Sequence, residues 1–146
     1  MFTIKSAVIE AQSVTFQLPA GFQLFQVQEE SVDPTVSILP PGGSYVVTLS
    51  LNHSQLSSEQ EFLDIFSEGG YMLLSPIEPI TCGALTGHCA AYLSGKEGCW
   101  EVRLNLPASP EDDYNTLVFQ FYSQQYTSLT TLRNDPAIDF LLSSIA

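Results

Sequence analysis

Positive charge is scarce in this chain. Lys5, Lys96, Arg103 and Arg133 are its four basic residues, set against sixteen acidic ones, for a formal net charge of −12. A nucleic-acid backbone needs a cationic face, so no nucleic-acid partner is expected. Adsorption to an anionic membrane surface is disfavoured on the same ground. Cysteine is also sparse: Cys82, Cys89 and Cys99 make an odd count with no C-x-x-C pair, and no His stands at zinc-finger spacing from them. They read as reduced, partly buried thiols, which suits a reducing compartment. No apolar run is long enough to span a bilayer, and Met1 to Lys5 does not open a signal peptide. The expectation is therefore a cytoplasmic chain with no membrane insertion. Repeats, low-complexity tracts and linkers are absent too, so residues 1–146 read as one domain.

The chemistry-bearing motifs are equally few. There is no G-x-S-x-G elbow and no H-E-x-x-H. The glycine-rich stretches Pro40-Pro41-Gly42-Gly43 and Gly83 to Gly87 lead into strand patterns, not into a helix N-terminus that could cradle phosphate. Glu111-Asp112-Asp113 lacks the spaced ligands and the glycine of a calcium loop. His88 and Cys89 are neighbours on a strand and point to opposite faces, so they cannot act as a nucleophile and base together. His88 could meet Cys99 on a paired strand. His53 is a lone histidine at a strand end, and Asn52-His53-Ser54 matches a glycosylation pattern without a secretory context. The expectation is no catalytic set, no metal and no cofactor.

What the chain does have is a core. Hydrophobic residues make up 45%, with nine Phe, six Tyr and one Trp. A chain of this length buries roughly 68–70% of its unfolded surface without a metal or disulfide staple. Short strands are expected at residues 3–9 and 13–18, the second alternating Val14, Phe16 and Leu18 with Thr15 and Gln17. An irregular or edge strand follows from Phe22 to Val27, then Val36 to Leu39 and Tyr45 to Leu51. Ser58 and Glu61 have capping-box spacing, and Phe62, Ile65 and Phe66 share a helical face. Gly69-Gly70 supplies a stop, so a helix is predicted over 58–67. Residues Tyr71 to Cys82 read as one strand bent at Pro76 and Pro79. Gly87 to Leu93, a turn over Ser94 to Gly98, and Cys99 to Leu106 follow. In this last strand Trp100, Val102, Leu104 and Leu106 line one face. A polar loop from Pro107 to Asn115 leads to a final strand, Leu117 to Tyr122. Tyr126, Leu129 and Leu132 suggest a turn or short helix. Asp135-Pro136 then opens a helix with Ile138, Leu141, Leu142 and Ile145 as its apolar stripe. The class is α+β, with a central antiparallel sheet of about six strands flanked by helices.

One face of the meander is polar: Glu101, Arg103 and Asn105, with Gln120 and Tyr122 on the same side of the last strand. It reads either as a solvated or helix-covered sheet face, or as a binding surface. The acidic loop Glu111, Asp112 and Asp113 is a second candidate surface.

The stretch Val14-Thr15-Phe16-Gln17-Leu18-Pro19-Ala20-Gly21-Phe22 resembles the x-F-x-L-P-x-G-F/W opening of PsbP-like domains, including the bacterial DcrB-like proteins. The later order of a capped helix, a meander and a C-terminal amphipathic helix is similar as well. The resemblance implies an α/β/α sandwich and an interaction module without a shared catalytic set. Members include a photosystem-associated protein, small-GTPase-binding proteins and many bacterial proteins of unknown role. Bacterial members are often exported or lipid-anchored, unlike the expectation here. The functional expectation is a non-enzymatic interaction or adaptor domain that uses acidic charge to dock a basic protein. Two other readings stay open: a small-molecule binder or enzyme using His88, Cys99, Arg103 and Tyr122, and an immunity- or chaperone-type protein sequestering a basic partner.

Overall fold

The computed structural model describes residues 2–5, 13–28, 35–42, 45–52, 59–94, 97–106, 116–123 and 135–145. Among them are ten strands and two helices. In chain order these are β1 (Phe2–Lys5), β2 (Ser13–Phe16), β3 (Gln23–Gln28), β4 (Thr35–Leu39), β5 (Val46–Asn52), α1 (Glu59–Gly69), β6 (Met72–Leu73), β7 (Glu78–Cys82), β8 (Leu85–Ser94), β9 (Glu97–Asn105), β10 (Thr116–Ser123) and α2 (Pro136–Ser143). Strands β1 and β2 form a separate antiparallel pair. The other eight make one antiparallel sheet in the order β3-β4-β5-β10-β9-β8, with β6 and β7 both on the outer edge of β8.

The sheet is therefore larger than the expected six strands. Part of the difference lies between residues 71 and 82. In place of one strand bent at its prolines, the chain forms two. β7 pairs with residues 85–89 of β8 and β6 with residues 92–93. Proline removes a ladder donor, and Pro76 falls in the gap between the two strands, whereas Pro79 lies within β7 opposite His88. β8 is long enough, at ten residues, to hold both strands along one edge. The edge position expected for β3 is observed, with a register irregularity between Leu24 and Gln26.

Alternation along the strands sorts two cores. Val47 and Leu49 of β5, Phe119 and Phe121 of β10, Trp100, Val102 and Leu104 of β9 and Cys89 of β8 join one cluster. Phe16 of β2 and Ile138, Leu141, Leu142 and Ile145 at the C-terminus belong to the same cluster. The Trp100 and Phe121 rings lie 5.1 Å apart within it. Residues of the opposite parity, Ala90, Tyr92 and Cys99, form a second cluster with Phe62 and Phe66 of α1. The stripe read from the sequence is the buried side of α1, with Phe62 and Phe66 buried and Ile65 half-buried. Ser58 of the expected capping box lies outside the described residues. The C-terminal helix begins as its sequence dictates: the Asp135 carboxylate accepts a hydrogen bond from the Ala137 N–H at 2.8 Å, with Pro136 in the first turn.

Gly87 marks a close approach of β8 to β9. A Cβ on this residue would collide with the carbonyl oxygen of Arg103 and come within 2.9 Å of the Leu104 Cα. Both obstacles are backbone inside a paired strand, so neither can swing aside. Gly87→Ala is expected to destabilise the fold by about 1–3 kcal/mol, as overpacking does. Chemical denaturation measures it. An unchanged midpoint would show that β8 and β9 can separate without cost.

Candidate functional site

Strand register decides which residues of the polar face lie side by side. Gln120 on β10 and Ala90 on β8 pair with Glu101, Tyr122 and Tyr92 pair with Cys99, and Val118 and His88 pair with Arg103. Glu101 is 2% exposed and Arg103 is 8% exposed. The Glu101 carboxylate accepts three hydrogen bonds: from Arg103 Nε at 2.7 Å, from Gln120 Nε2 at 2.8 Å and from the Tyr92 hydroxyl at 3.0 Å. The guanidinium carbon of Arg103 sits 5.9 Å from the Phe62 ring centroid. Phe62 and Phe66 of α1 join the adjoining cluster with Ala90, Tyr92 and Cys99. The Glu101–Arg103 pair is therefore buried and not solvated. An Arg–carboxylate pair can survive such burial because the remaining lone pairs on the carboxylate find donors.

Tyr122 lies opposite Cys99 on β10 and packs against the cluster that holds Tyr92 and Cys99. Asn105 is half-buried two residues beyond Arg103 on β9. The sequence reading missed Tyr92, which supplies a hydroxyl to Glu101. Its signal was available: Tyr92 has the same parity as His88 on β8, and so faces the polar side. Glu111, Asp112 and Asp113 lie outside the described residues, as do His53 and the turn suggested around Tyr126 to Leu132.

Two of the thiols, Cys82 and Cys99, are poor nucleophiles. Burial pushes Cys99 up to about 12, against hydrogen bonds from Tyr92, the Phe121 backbone and Tyr122 that lower it. Burial, reinforced by Cys89 and Asp139, pushes Cys82 up to about 12. The thiolate is the reactive form, so both are held inert near neutral pH. His88 also fails to meet Cys99: it pairs with Arg103, four residues away along β9, whereas Cys99 pairs with Tyr92. At roughly 3.3 Å per residue that separation is far beyond hydrogen-bond reach. In the folded protein Cys82 and Cys99 are expected to resist alkylation at mildly alkaline pH and to react fully in denaturant. Stoichiometric labelling of the native protein, read by mass, would refute this burial.

A shallow cavity of about 170 Å³ opens where β7 meets α2, lined by residues that include Cys82, Trp100, Asp139 and Ser143. None of His88, Cys99, Arg103 or Tyr122 lines it. Among the described residues no group of three or more His, Cys, Asp or Glu is placed to hold a metal ion. No described helix is long and apolar enough to cross a membrane.

No family model matches the chain, and no curated protein matches it in sequence. Among solved structures, the chain is similar to the crystal structure of LpqN, a protein involved in cell envelope biogenesis of Mycobacterium tuberculosis. The two share 10% sequence identity with a TM-score of 0.47, over 91% of this chain and 82% of that one.

Proposed function

We propose that this chain is a non-enzymatic protein-interaction domain that docks a basic partner through acidic surface charge, on a PsbP-like layered framework with a helix against each side of the sheet. One observation carries the reading: the charged side chains described as exposed are all acidic. Arg103, the basic residue whose side chain is described, is buried against Glu101. Glu59, Asp64, Glu68, Glu97 and Asp139 are exposed. With a net charge of −12 the outer surface is a negative field that attracts cationic proteins and repels copies of itself.

The test is affinity capture from the protein's own cells at low and at moderate ionic strength. A stoichiometric basic protein, held at low salt and released as salt rises, supports the reading, because exposed charge pairs are screened beyond the Debye length. A blank at low salt overturns it and turns attention to the cavity beside Cys82 and Trp100, where ligand-induced thermal shifts become the measurement.

A further inference from the structure

We propose that β6, at one edge of the sheet, is a docking strand that takes up an extended segment of a partner protein in which basic residues alternate with apolar ones. The proposal rests on the interaction-domain reading and gives it a place.

Six large apolar side chains are exposed among the described residues: Leu63, Tyr71, Met72, Leu73, Leu74 and Phe140. Four of them are consecutive, and Met72 is 61% exposed. They are held in this position by specific contacts. Gly70, at φ +68, turns the chain out of α1, and the Tyr71 N–H donates to the Phe66 carbonyl at 3.1 Å. The Tyr71 ring then lies against Phe66 and Tyr92, with centroids 6.4 and 5.1 Å away. Met72 and Leu73 pair with Leu93 and Tyr92 of β8. The Leu74 N–H donates to the Ala91 carbonyl at 2.8 Å. Donors alternate sides along a strand, so the Leu73 N–H points away from β8, toward the open edge. Proteins usually blunt such edges with a very short strand, a charged residue, a proline or a bulge. β6 is two residues long and Pro76 follows it, but residues Tyr71 to Ser75 contain no charged residue, and four consecutive apolar side chains stay exposed there. An uncharged apolar edge kept open in this way fits strand addition, where main-chain bonds align the guest and side chains select it.

Charge complementarity selects the occupant. Between Lys5 and Lys96 the chain has no Lys or Arg. Helix α1, which runs directly into this edge, carries the exposed Glu59, Asp64 and Glu68. Its last turn has no basic residue to offset the negative end of the helix dipole. On the far side, Glu78 opens β7 on the same edge of β8. An apolar strip flanked by acids suits a guest whose apolar side chains cover Met72 and Leu73 and whose cations face the acids. A second copy of this chain brings the same acids and is repelled.

The probes are three end-capped, fluorescent synthetic peptides. One alternates lysine with leucine, one alternates glutamate with leucine, and one places lysine and leucine at helical spacing. Binding is read by anisotropy at two salt concentrations and located by amide chemical-shift changes on the intact protein. The alternating lysine–leucine peptide is expected to bind more tightly than the other two, to weaken with salt, and to shift amides in residues 71–75 and 92–93. Leu73→Pro removes the outward donor while sparing the ladder to β8, and Met72→Lys adds a repelling charge at an exposed position. Each is expected to weaken binding by about tenfold or more, with melting temperature unchanged for Met72→Lys. Basic peptides that bind but shift other surfaces would overturn the β6 site and leave the acidic-docking reading standing. Failure of every basic peptide at low salt would overturn both. Preference for the helical-spacing peptide, or dimerisation through residues 71–75, would overturn the occupant.

Discussion

Glu101→Ala is expected to destabilise this protein by roughly 3–5 kcal/mol, enough to unfold much of it if its stability is ordinary. The reason is the company Glu101 keeps. Its carboxylate faces Arg103 Nε, the Gln120 amide and the Tyr92 hydroxyl in a site that is 2% exposed. Alanine takes the Glu101 charge away from a buried guanidinium and the acceptor away from three donors, in a site that water does not enter freely. Glu101→Gln keeps the volume but loses the charge and presents an amide N–H to groups that are themselves donors. Its loss should be smaller than that of alanine but still clear. The decisive comparison is a double variant, Glu101→Leu with Arg103→Met, which removes both charges together. Replacing a buried pair by apolar groups of similar size is often neutral, so the double variant should recover most of what Glu101→Ala loses. Urea denaturation of the three variants reads the result. A double variant as unstable as the single one would show that the loss came from packing and not from removing one charge of the pair.

The fold is also expected to fail in alkali. Burial pushes Tyr45 up to about 12, with Asp135 reinforcing it, and Cys82 and Cys99 to about the same value. Burial raises Tyr92 and Tyr122 as well, with the charge of Glu101 and the neighbouring Cys99 adding to both. In the unfolded chain the thiols and phenols ionise near their ordinary values of 9.0 and 10.0. The folded state therefore holds more protons than the unfolded state as pH rises past those values. Stability is fully present below about pH 9 and falls through the window up to about 12. Each retained proton contributes about 1.4 kcal/mol per pH unit, so several acting together remove on the order of 5 kcal/mol per unit. Circular dichroism against pH should show a steep cooperative loss, with tyrosinate absorbance rising in the same step. Smooth phenol ionisation around 10.0 with the fold retained would mean that these rings are open to solvent.

Much of this framework is legible in the residues themselves. The alternation of Trp100, Val102 and Leu104, and of Leu117, Phe119 and Phe121, names the buried side of β9 and β10. All six are buried in one cluster. The spacing of Phe62, Ile65 and Phe66 gives the buried side of α1, and Asp135-Pro136 gives the start of α2. These signals are local, because a strand repeats every two residues and a helix every 3.6. The strand count was not legible. Residues 71–82 contain enough apolar character for a strand and enough proline to interrupt one. Only the length of β8 decides that both pieces have somewhere to pair.

The candidate site shows the same division. Alternation alone put Glu101, Arg103 and Asn105 on one side of a strand, with Gln120 and Tyr122 on the matching side of its neighbour. Register then had to choose which of them touch. It placed Gln120 opposite Glu101, set Tyr92 within reach of that carboxylate and carried His88 away from Cys99. The sequence by itself determined the acidity, the parity of each strand and the two helix stripes, since each depends on composition or on neighbours a few residues apart. Tertiary structure decided that Phe62 and Phe66 cluster with Ala90, Tyr92 and Cys99, that Glu101 and Arg103 are buried together, and that Met72 and Leu73 end the sheet. Those outcomes depend on contacts between segments distant in the chain, and no periodicity within one segment specifies its partner.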